Sequence, residues 1–435
     1  MLALYNLLLS ILLPGVRVAS YFNPKLRRAL DGRKTLIKST REHYKDTNTH
    51  GPRILIHVAS FGELEQAKPV IAAIKERHPA AHIHLTFFSP SGYENAVGKY
   101  AGADLISYAP LDVRSRVSQF LDIVKPDLAL FARYDVWPNM ASELKRRNVP
   151  SILFAATASE NSRRMLPMVR NLYRNVFRSL SKILVISGED KSRFEAYGVD
   201  AGNVIVAGDT RFDQVLARRV DLERNGEHQL PEPIRASIAE RGTLVFIVGS
   251  SWESDEAIYL DTLKKSIERN DNILTIIAPH EPSEERVRKL LVHFAGKTIR
   301  FSAVEAWDGE PIIVVDSIGK LFGLYRYADV AMIGGGFGAG LHNILEAAVW
   351  GIPAIVGPKH EKSREVQQLI DCLSAFGVST KREFDFVFWR LAQSEGLRQS
   401  AGEQASRFVQ ENLGATEGIM QEIIPLLKKE SAVGG

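Results

Sequence analysis

Short apolar runs recur along this chain at the spacing of strands separated by helices, and that rhythm narrows its possible folds more than any other feature. The first set is Ile54–Val58, Ile83–Phe87, Leu105–Tyr108, Leu128–Phe131, Ile152–Phe154 and Ile183–Ile186. Helix-like segments stand between several of them, among them Val113–Val124, Met140–Arg147 and Arg163–Leu180. Short, continuously apolar strands are buried on both faces, and their alternation with helices means a parallel sheet covered on both sides. After a polar, charged interval, Arg218–Gly242, the rhythm restarts at Leu244–Val248, Leu274–Ile277, Ile312–Val315, Val330–Ile333 and Ala354–Val356. A chain of 435 residues is also too long for one compact core. The expectation is an α/β protein of two doubly wound Rossmann-like domains, their strand ends facing a cleft, with a hinge between about Asp209 and Arg241. The divisions expected are an N-terminal segment over 1–45, a first domain over 46–215 and a second over 216–435. The last helix is free to pack back on the first domain.

The N-terminal segment is the compositional outlier. Met1–Phe22 is apolar, interrupted by Asn6, Pro14, Gly15 and Arg17. A spanning helix takes roughly 20 apolar residues, and this stretch barely reaches that length. No basic residue precedes the run and no A-x-A pattern follows it, which argues against a signal peptide. Arg17, Lys25, Arg27, Arg28, Arg33, Lys34, Lys38 and Arg41 gather beside it. Basic residues flanking an apolar segment suit an anionic membrane surface on the cytoplasmic side. The reading is a membrane-seated segment, spanning or lying in the interface, with a buried core helix as the plainer alternative. The net charge of +4 excludes a general nucleic-acid binder. With Cys372 as the sole cysteine, an intramolecular disulfide and a cysteine-cluster metal site are excluded. No His/Cys/Asp ligand cluster stands out in the sequence.

One stretch, Ala328–Lys359, carries the densest signal for a ligand. An apolar strand leads into Gly334, Gly335, Gly336, Gly338 and Gly340. A helix is expected from about Leu341, and a second strand near Pro353. Strand, glycine loop and helix together set an anion at a helix N-terminus. In that reading the amides of Gly335 and Gly336 suit a phosphate. His342, Asn343 and Glu346 share one face of the first turn, where an amide and a carboxylate suit the hydroxyls of a ribose. A plain glycine turn with a Glu favouring the helix dipole explains the same letters.

Other strand ends carry polar residues too. Ser60 and Glu63 form the S-x-x-E of a capping box, in which the Glu side chain reaches back to the Ser60 amide. The functional alternative makes Glu63 a general base. Pro69 is expected to kink or restart that helix. Arg133-Tyr134-Asp135-Val136-Trp137-Pro138-Asn139 follows the fourth strand, where Asp135 is either functional or a helix cap. Gly208-Asp209-Thr210-Arg211-Phe212-Asp213 places Arg211 at the domain junction, ready for an anion or paired with Asp213. In the second half the strand ends are Gly249–Glu253, Ala278–Pro282 and Asp316–Lys320.

Taken in order, these motifs resemble the Kdo transferases, which move 3-deoxy-D-manno-oct-2-ulosonic acid (Kdo) from CMP-Kdo onto a lipid A precursor. The matching pieces are S-x-G-E at Ser60–Glu63, W-P-N at Trp137–Asn139, and G-[ND]-x-[KR]-F-D at Gly208–Asp213. S-[ST]-x-E at Ser250–Glu253, A-P at Ala278–Pro279, and H-N-x-x-E at His342–Glu346 followed by G-x-P complete the set. The resemblance runs from the apolar N-terminus to about residue 370. It implies a GT-B type glycosyltransferase of lipopolysaccharide biosynthesis, inverting and metal-independent, at the cytoplasmic face of the inner membrane. No cofactor is implied beyond the donor substrate CMP-Kdo. Glu63 is then the base, and Asp135 and Arg211 stabilise the transition state. Pro279, His280, Ile318, Gly319, Lys320 and Asn343 through Glu346 meet CMP.

The sequence also departs from the family pattern. Arg133-Tyr134-Asp135-Val136 stands where Glu-Thr-Glu-Leu is usual, Pro279-His280-Glu281-Pro282 where Pro-Arg-His-Pro is, and Gly319-Lys320-Leu321 where Gly-Glu-Leu is. These changes mark a divergent branch. Two rivals share the architecture. A UDP-N-acetylglucosamine 2-epimerase would need neither Met1–Phe22 nor the W-P-N segment. A non-enzymatic nucleotide-binding module at the membrane has no use for Glu63, Asp135 and Arg211. A NAD-dependent dehydrogenase is weaker, because S-F-G-E replaces G-x-G-x-x-G after the first strand.

Overall fold

The computed structural model describes residues 1–46, 51–158, 166–361 and 363–428. It divides into two compact units, Met1–Gln214 with Asn412–Gly435, and Val215–Glu411. The boundary falls inside one helix, Thr210–Asn225, within the interval expected for a hinge. The second domain therefore ends at Glu411 instead of running to 435.

The first unit holds a parallel sheet of β1 (Arg53–Val58), β2 (His82–Phe87), β3 (Leu105–Tyr108), β4 (Leu128–Ala132), β5 (Ser151–Ala156), β6 (Lys182–Val185) and β7 (Val204–Val206), in the order β3-β2-β1-β4-β5-β6-β7. Its inner strands are buried on both faces. Ile54, Ile56 and Val58 of β1 pack on one side with Val70, Ile71 and Ile74 of helix Phe61–Arg77. Leu55 faces the other side, towards Phe120, Phe131 and Leu144. The helix Ala415–Lys428 adds Ile419, Met420 and Ile423 to the first side, so an apolar stripe on this C-terminal helix completes the core of the first unit. Pro69 does not restart its helix, which runs unbroken from Phe61 to Arg77. The helix expected over Arg163–Leu180 is seen as Pro167–Ser179, and 163–165 lie outside the described residues.

Three helices precede β1. Leu2–Ala19 runs through Pro14 with no buried residue, so it is no core helix. By length and composition it suffices to cross a membrane. Leu36–Asp46 differs, since Leu36 lies in the core beside Val117 and Phe120. The N-terminal 45 residues are thus not one membrane segment, because their last helix belongs to the first domain's core.

The second unit holds β8 (Leu244–Ser251), β9 (Ile273–Pro279), β10 (Thr298–Arg300), β11 (Ile312–Val314), β12 (Val330–Ile333), β13 (Ala354–Val356) and β14 (Ala375–Gly377). They form a second parallel sheet in the order β10-β11-β9-β8-β12-β13-β14. The edge strands β10 and β14 have no apolar run to announce them. All residues of Thr298–Arg300 are only half-buried, and an edge strand loses the two-sided burial that makes its sequence apolar.

Candidate active site

In each sheet the chain reverses its strand order beside the first strand, and crevices open at the carboxyl ends of such neighbours. In the first unit the reversal lies between β1 and β4, so the loops after Val58 and Ala132 share it. Glu63 and Asp135 stand there. The Ser60 hydroxyl accepts from the Glu63 amide and caps the helix. Glu63 returns the contact one residue earlier than a regular capping box would. Its carboxylate accepts from the Ala59 amide, so the expected bond to the Ser60 amide is not the one formed. The side chain is 4% exposed. Burial pushes its pKa above the ordinary carboxylate value, against the Ala59 hydrogen bond, with the charge of Asp135 adding to the rise.

Asp135 faces a partner that the sequence reading missed. His57, on β1, lies with Nε2 3.2 Å from Asp135 Oδ2 and Nδ1 3.0 Å from Thr86 Oγ1. The Thr86 hydroxyl donates to the Ile56 carbonyl at 3.2 Å, so it accepts from His57 Nδ1–H. The two ring nitrogens thus bridge Thr86 of β2 and Asp135 after β4. The available signal was a histidine inside an otherwise apolar strand. Asp135 does not act as a helix cap, because Trp137 is the N-cap of Pro138–Arg146.

Arg133 adopts φ +63°, which turns the chain sharply before Asp135. The W-P-N segment then locks the N-terminal helix in place. Asp112 accepts from the amides of Asn139 and Met140, both at 2.9 Å, and from the Tyr5 hydroxyl at 2.9 Å. The Asn139 side-chain amide donates from Nδ2 to Asn6 Oδ1 at 2.8 Å. Burial raises the Asp112 pKa to about 6. Trp137 stacks on Phe88 with ring centres 5.1 Å apart.

Arg211 does not pair with Asp213. Its guanidinium bonds Asp209 at 2.9 and 2.7 Å, and Asp209 also takes its amide at 3.0 Å. Asp213 instead accepts from the Gly414 and Thr416 amides at 2.8 and 2.6 Å, capping the C-terminal helix.

In the second unit, β11, β9, β8 and β12 are consecutive neighbours, and all the residues expected around CMP follow their carboxyl ends. Pro279 closes β9 and His280 follows it, Ile318-Gly319-Lys320 lies in an exposed loop after β11, and the glycine loop follows β12. His280 is stacked on Trp252 and also touches the tilted His342 ring, with each ring centre 4.4 Å from its own. Trp252 Nε1 donates to His342 Nε2 at 3.2 Å. Burial, and then the neighbouring His280, lower the His342 pKa to about 4, so that ring is neutral at pH 7 and free to accept.

The glycine loop is built differently from its expectation. The Gly335 amide does not wait for a phosphate, because it donates to Asp255 at 2.7 Å. Asp255 is fully buried and also accepts from Phe337 and Trp252 amides at 3.2 and 2.8 Å. It ties the glycine loop to the N-terminus of helix Glu253–Glu268. The glycines serve backbone packing: a Cβ on Gly335 would meet the Gly340 carbonyl at 2.1 Å, and one on Gly336 would meet Gly357 Cα at 2.7 Å. No helix begins at Leu341. The helix is Leu345–Ala348, so His342 and Asn343 precede it and share no helical face with Glu346. The Asn343 side chain accepts from the Leu345 amide at 3.2 Å. Glu346 pairs with Arg218 at 2.9 Å, whose guanidinium lies 4.0 Å over the Phe322 ring.

Comparison with known proteins agrees with this architecture. A family model described as 3-deoxy-D-manno-octulosonic-acid transferase matches residues 34–214. The chain is 24% identical over 385 residues to such a transferase from Haemophilus influenzae, covering 86% of this chain and 87% of the relative. It is 27% identical over 335 residues to the one from Aquifex aeolicus, covering 76% and 83%. Among solved structures, the UDP-GlcNAc 2-epimerase of Neisseria meningitidis bound to UDP-GlcNAc superposes with TM-score 0.61 at 13% identity, over 86% of this chain and 100% of that one. That likeness is one of fold alone. The two parallel-sheet α/β domains are of GT-B kind, and across most of its length the chain is similar to 3-deoxy-D-manno-octulosonic acid transferases, which are glycosyltransferases.

Proposed function

We propose that this protein transfers Kdo from CMP-Kdo to a lipid A precursor, with inversion and without a metal ion, at the cytoplasmic face of the inner membrane in lipopolysaccharide biosynthesis. The observation that carries the reading is the buried Glu63 carboxylate beside Asp135 at the β1/β4 reversal. Glu63 takes the proton of the acceptor hydroxyl as its oxygen bonds the anomeric carbon and the bond to CMP breaks. Its raised pKa makes it a better proton acceptor than a solvated glutamate. Asp135, held by His57 Nε2 at 3.2 Å, stands beside the reaction. The anomeric carbon also bears a carboxylate, and Arg211, oriented by Asp209, is the cation assigned to it. CMP sits at the carboxyl ends of β9, β11 and β12, with His280 in its ring stack and Lys320 supplying positive charge. Asn343 and Glu346 face its ribose or phosphate.

Incubation with CMP-Kdo and with UDP-N-acetylglucosamine, each with and without lipid acceptor, tests the function. Transfer only from CMP-Kdo to lipid is expected, and epimerisation of the UDP sugar would overturn the reading. Chelators are expected to leave the rate unchanged, so sensitivity to EDTA would count against a metal-free step. Glu346→Ala is expected to weaken CMP binding by roughly 1–3 kcal/mol, the cost of unpairing buried polar groups. Unchanged CMP affinity would take Glu346 out of the donor site.

The membrane assignment has its own test. Leu4, Leu7, Leu8, Ile11 and Leu12 are exposed along one side of the N-terminal helix. Deleting Met1–Pro24 is expected to release the protein from membranes while both units stay folded, with the loss of only the Tyr5 and Asn6 hydrogen bonds to Asp112 and Asn139. Unfolding of the truncated chain would return the helix to a core.

A further inference from the structure

Arg33 carries a buried charge without a counter-charge. It is 8% exposed. It donates to the carbonyls of Ala109, Ala29 and Phe88 at 2.8, 2.7 and 2.8 Å, and lies 4.8 Å from the Tyr108 ring centre. Among the described residues no carboxylate is within ion-pair distance of it. Burial lowers its pKa to about 10, so it stays charged at neutral pH. An uncompensated buried cation is costly, and an anion nearby offsets that cost.

Beside Arg33 is a cavity of about 790 Å³ that is also lined by Arg17, Arg27, Lys34 and Arg116. Its single acid is Asp31, held ionised chiefly by the Lys34 ammonium at 2.7 Å. Arg17 and Arg116 make no ion pair among the described residues. The cavity's position fits the reaction proposed above. Pro110 and Leu111, just past β3, form part of its wall, and Arg33 binds the Phe88 carbonyl just past β2. Since β3, β2, β1 and β4 are consecutive, the cavity opens on the same sheet edge as Glu63 and Asp135. Two strand spacings, roughly 10 Å, separate β3 from β1. Leu13 and Arg17 of the N-terminal helix line the cavity, while its opposite side is exposed and apolar.

We propose that this cavity seats a phosphate group of the membrane-borne acceptor, a phosphorylated glycolipid. Its phosphate rests among Arg17, Arg27, Lys34 and Arg116 over the Arg33 charge, and its acyl chains follow the apolar helix into the bilayer. This inference rests on the lipid acceptor of the proposed function and adds how that lipid is recognised. A phosphate fixed here leaves the sugar within reach of Glu63.

The test uses the full chain and reads binding without turnover. Nanodiscs would carry a phosphorylated disaccharide lipid, the same lipid with its phosphate removed, or phosphatidylglycerol alone. Arg17→Ala combined with Arg116→Ala is expected to weaken binding to the phosphorylated lipid about tenfold or more, the loss of one charge-assisted hydrogen bond. Binding to the other two discs should not change, and melting temperature confirms the fold. Equal losses on phosphatidylglycerol would mean general membrane attraction and overturn the proposal. So would inorganic phosphate binding as tightly as the lipid, or no loss at all. Absence of Kdo transfer by the unaltered protein would instead sink the proposed function and leave this binding result standing.

Discussion

Glu63→Gln is expected to give a folded, CMP-binding protein whose turnover falls at least about a hundredfold, the usual contribution of a general base. The glutamine oxygen can still accept from the Ala59 amide, so the helix start is preserved. The stability change has a definite sign. Glu63 has a folded-state pKa above its unfolded value, so the folded state binds the proton more tightly. Stability is therefore lost as pH rises from the unfolded pKa through the raised folded pKa, and at neutral pH the ionised group is a burden. A neutral glutamine removes that burden. The variant should melt no lower than the parent at pH 7, and its advantage should vanish in acid where both side chains are uncharged. The same shift sets the acid limb of the parent's kcat/KM profile above the ordinary carboxylate range. Melting temperature, CMP titration and Kdo transfer on one preparation decide it. Normal transfer would reduce Glu63 to its structural contact with Ala59.

Asp255→Ala is expected to be the most damaging single change in the second unit. It strips the acceptor from the amides of Trp252, Gly335 and Phe337. Each buried unsatisfied donor costs roughly 1–3 kcal/mol, so the loss reaches at least about 3 kcal/mol. That is a large share of a typical folding free energy of about 5–15 kcal/mol. The loop would also lose its hold on the helix N-terminus beside the His280 stack, so CMP affinity should fall with stability. Asp255→Asn keeps one acceptor oxygen and turns an amide donor towards another N–H, so it should fall between the parent and Ala. Thermal melting and CMP titration of both variants test this. A melting temperature unchanged in Asp255→Ala would show that water or relaxed backbone satisfies those amides.

Several site features were open to the sequence, and others were closed to it for identifiable reasons. Glu63 and Asp135 could be placed at strand ends because the strands before them are apolar, and the helix after Ser60 was marked by its cap. The role of His57 was hidden, since its partners Thr86 and Asp135 lie on β2 and after β4, far along the chain. Asp255 was hidden in the same way behind a bond to a loop that begins some eighty residues later. The glycine loop was misread because glycine permits both a close ligand and a close backbone. Only the position of Gly357 against Gly336 shows that the second use applies here. Arg211 and Asp213 looked like a pair by proximity, yet Asp213 is claimed by Gly414 and Thr416 from the end of the chain.

The sequence by itself determined the two parallel sheets, the polar strand ends and the apolar N-terminal helix. Those features follow from local periodicity, since two-sided burial makes a strand continuously apolar wherever it stands. Tertiary structure alone decided which carboxylate meets which amide or ring, that the C-terminal helix joins the first core, and that Arg33 lies beside a basic cavity. Such pairings form between segments distant in the chain, where the cost of leaving a buried polar group unpaired selects the partner, and no local pattern records that choice.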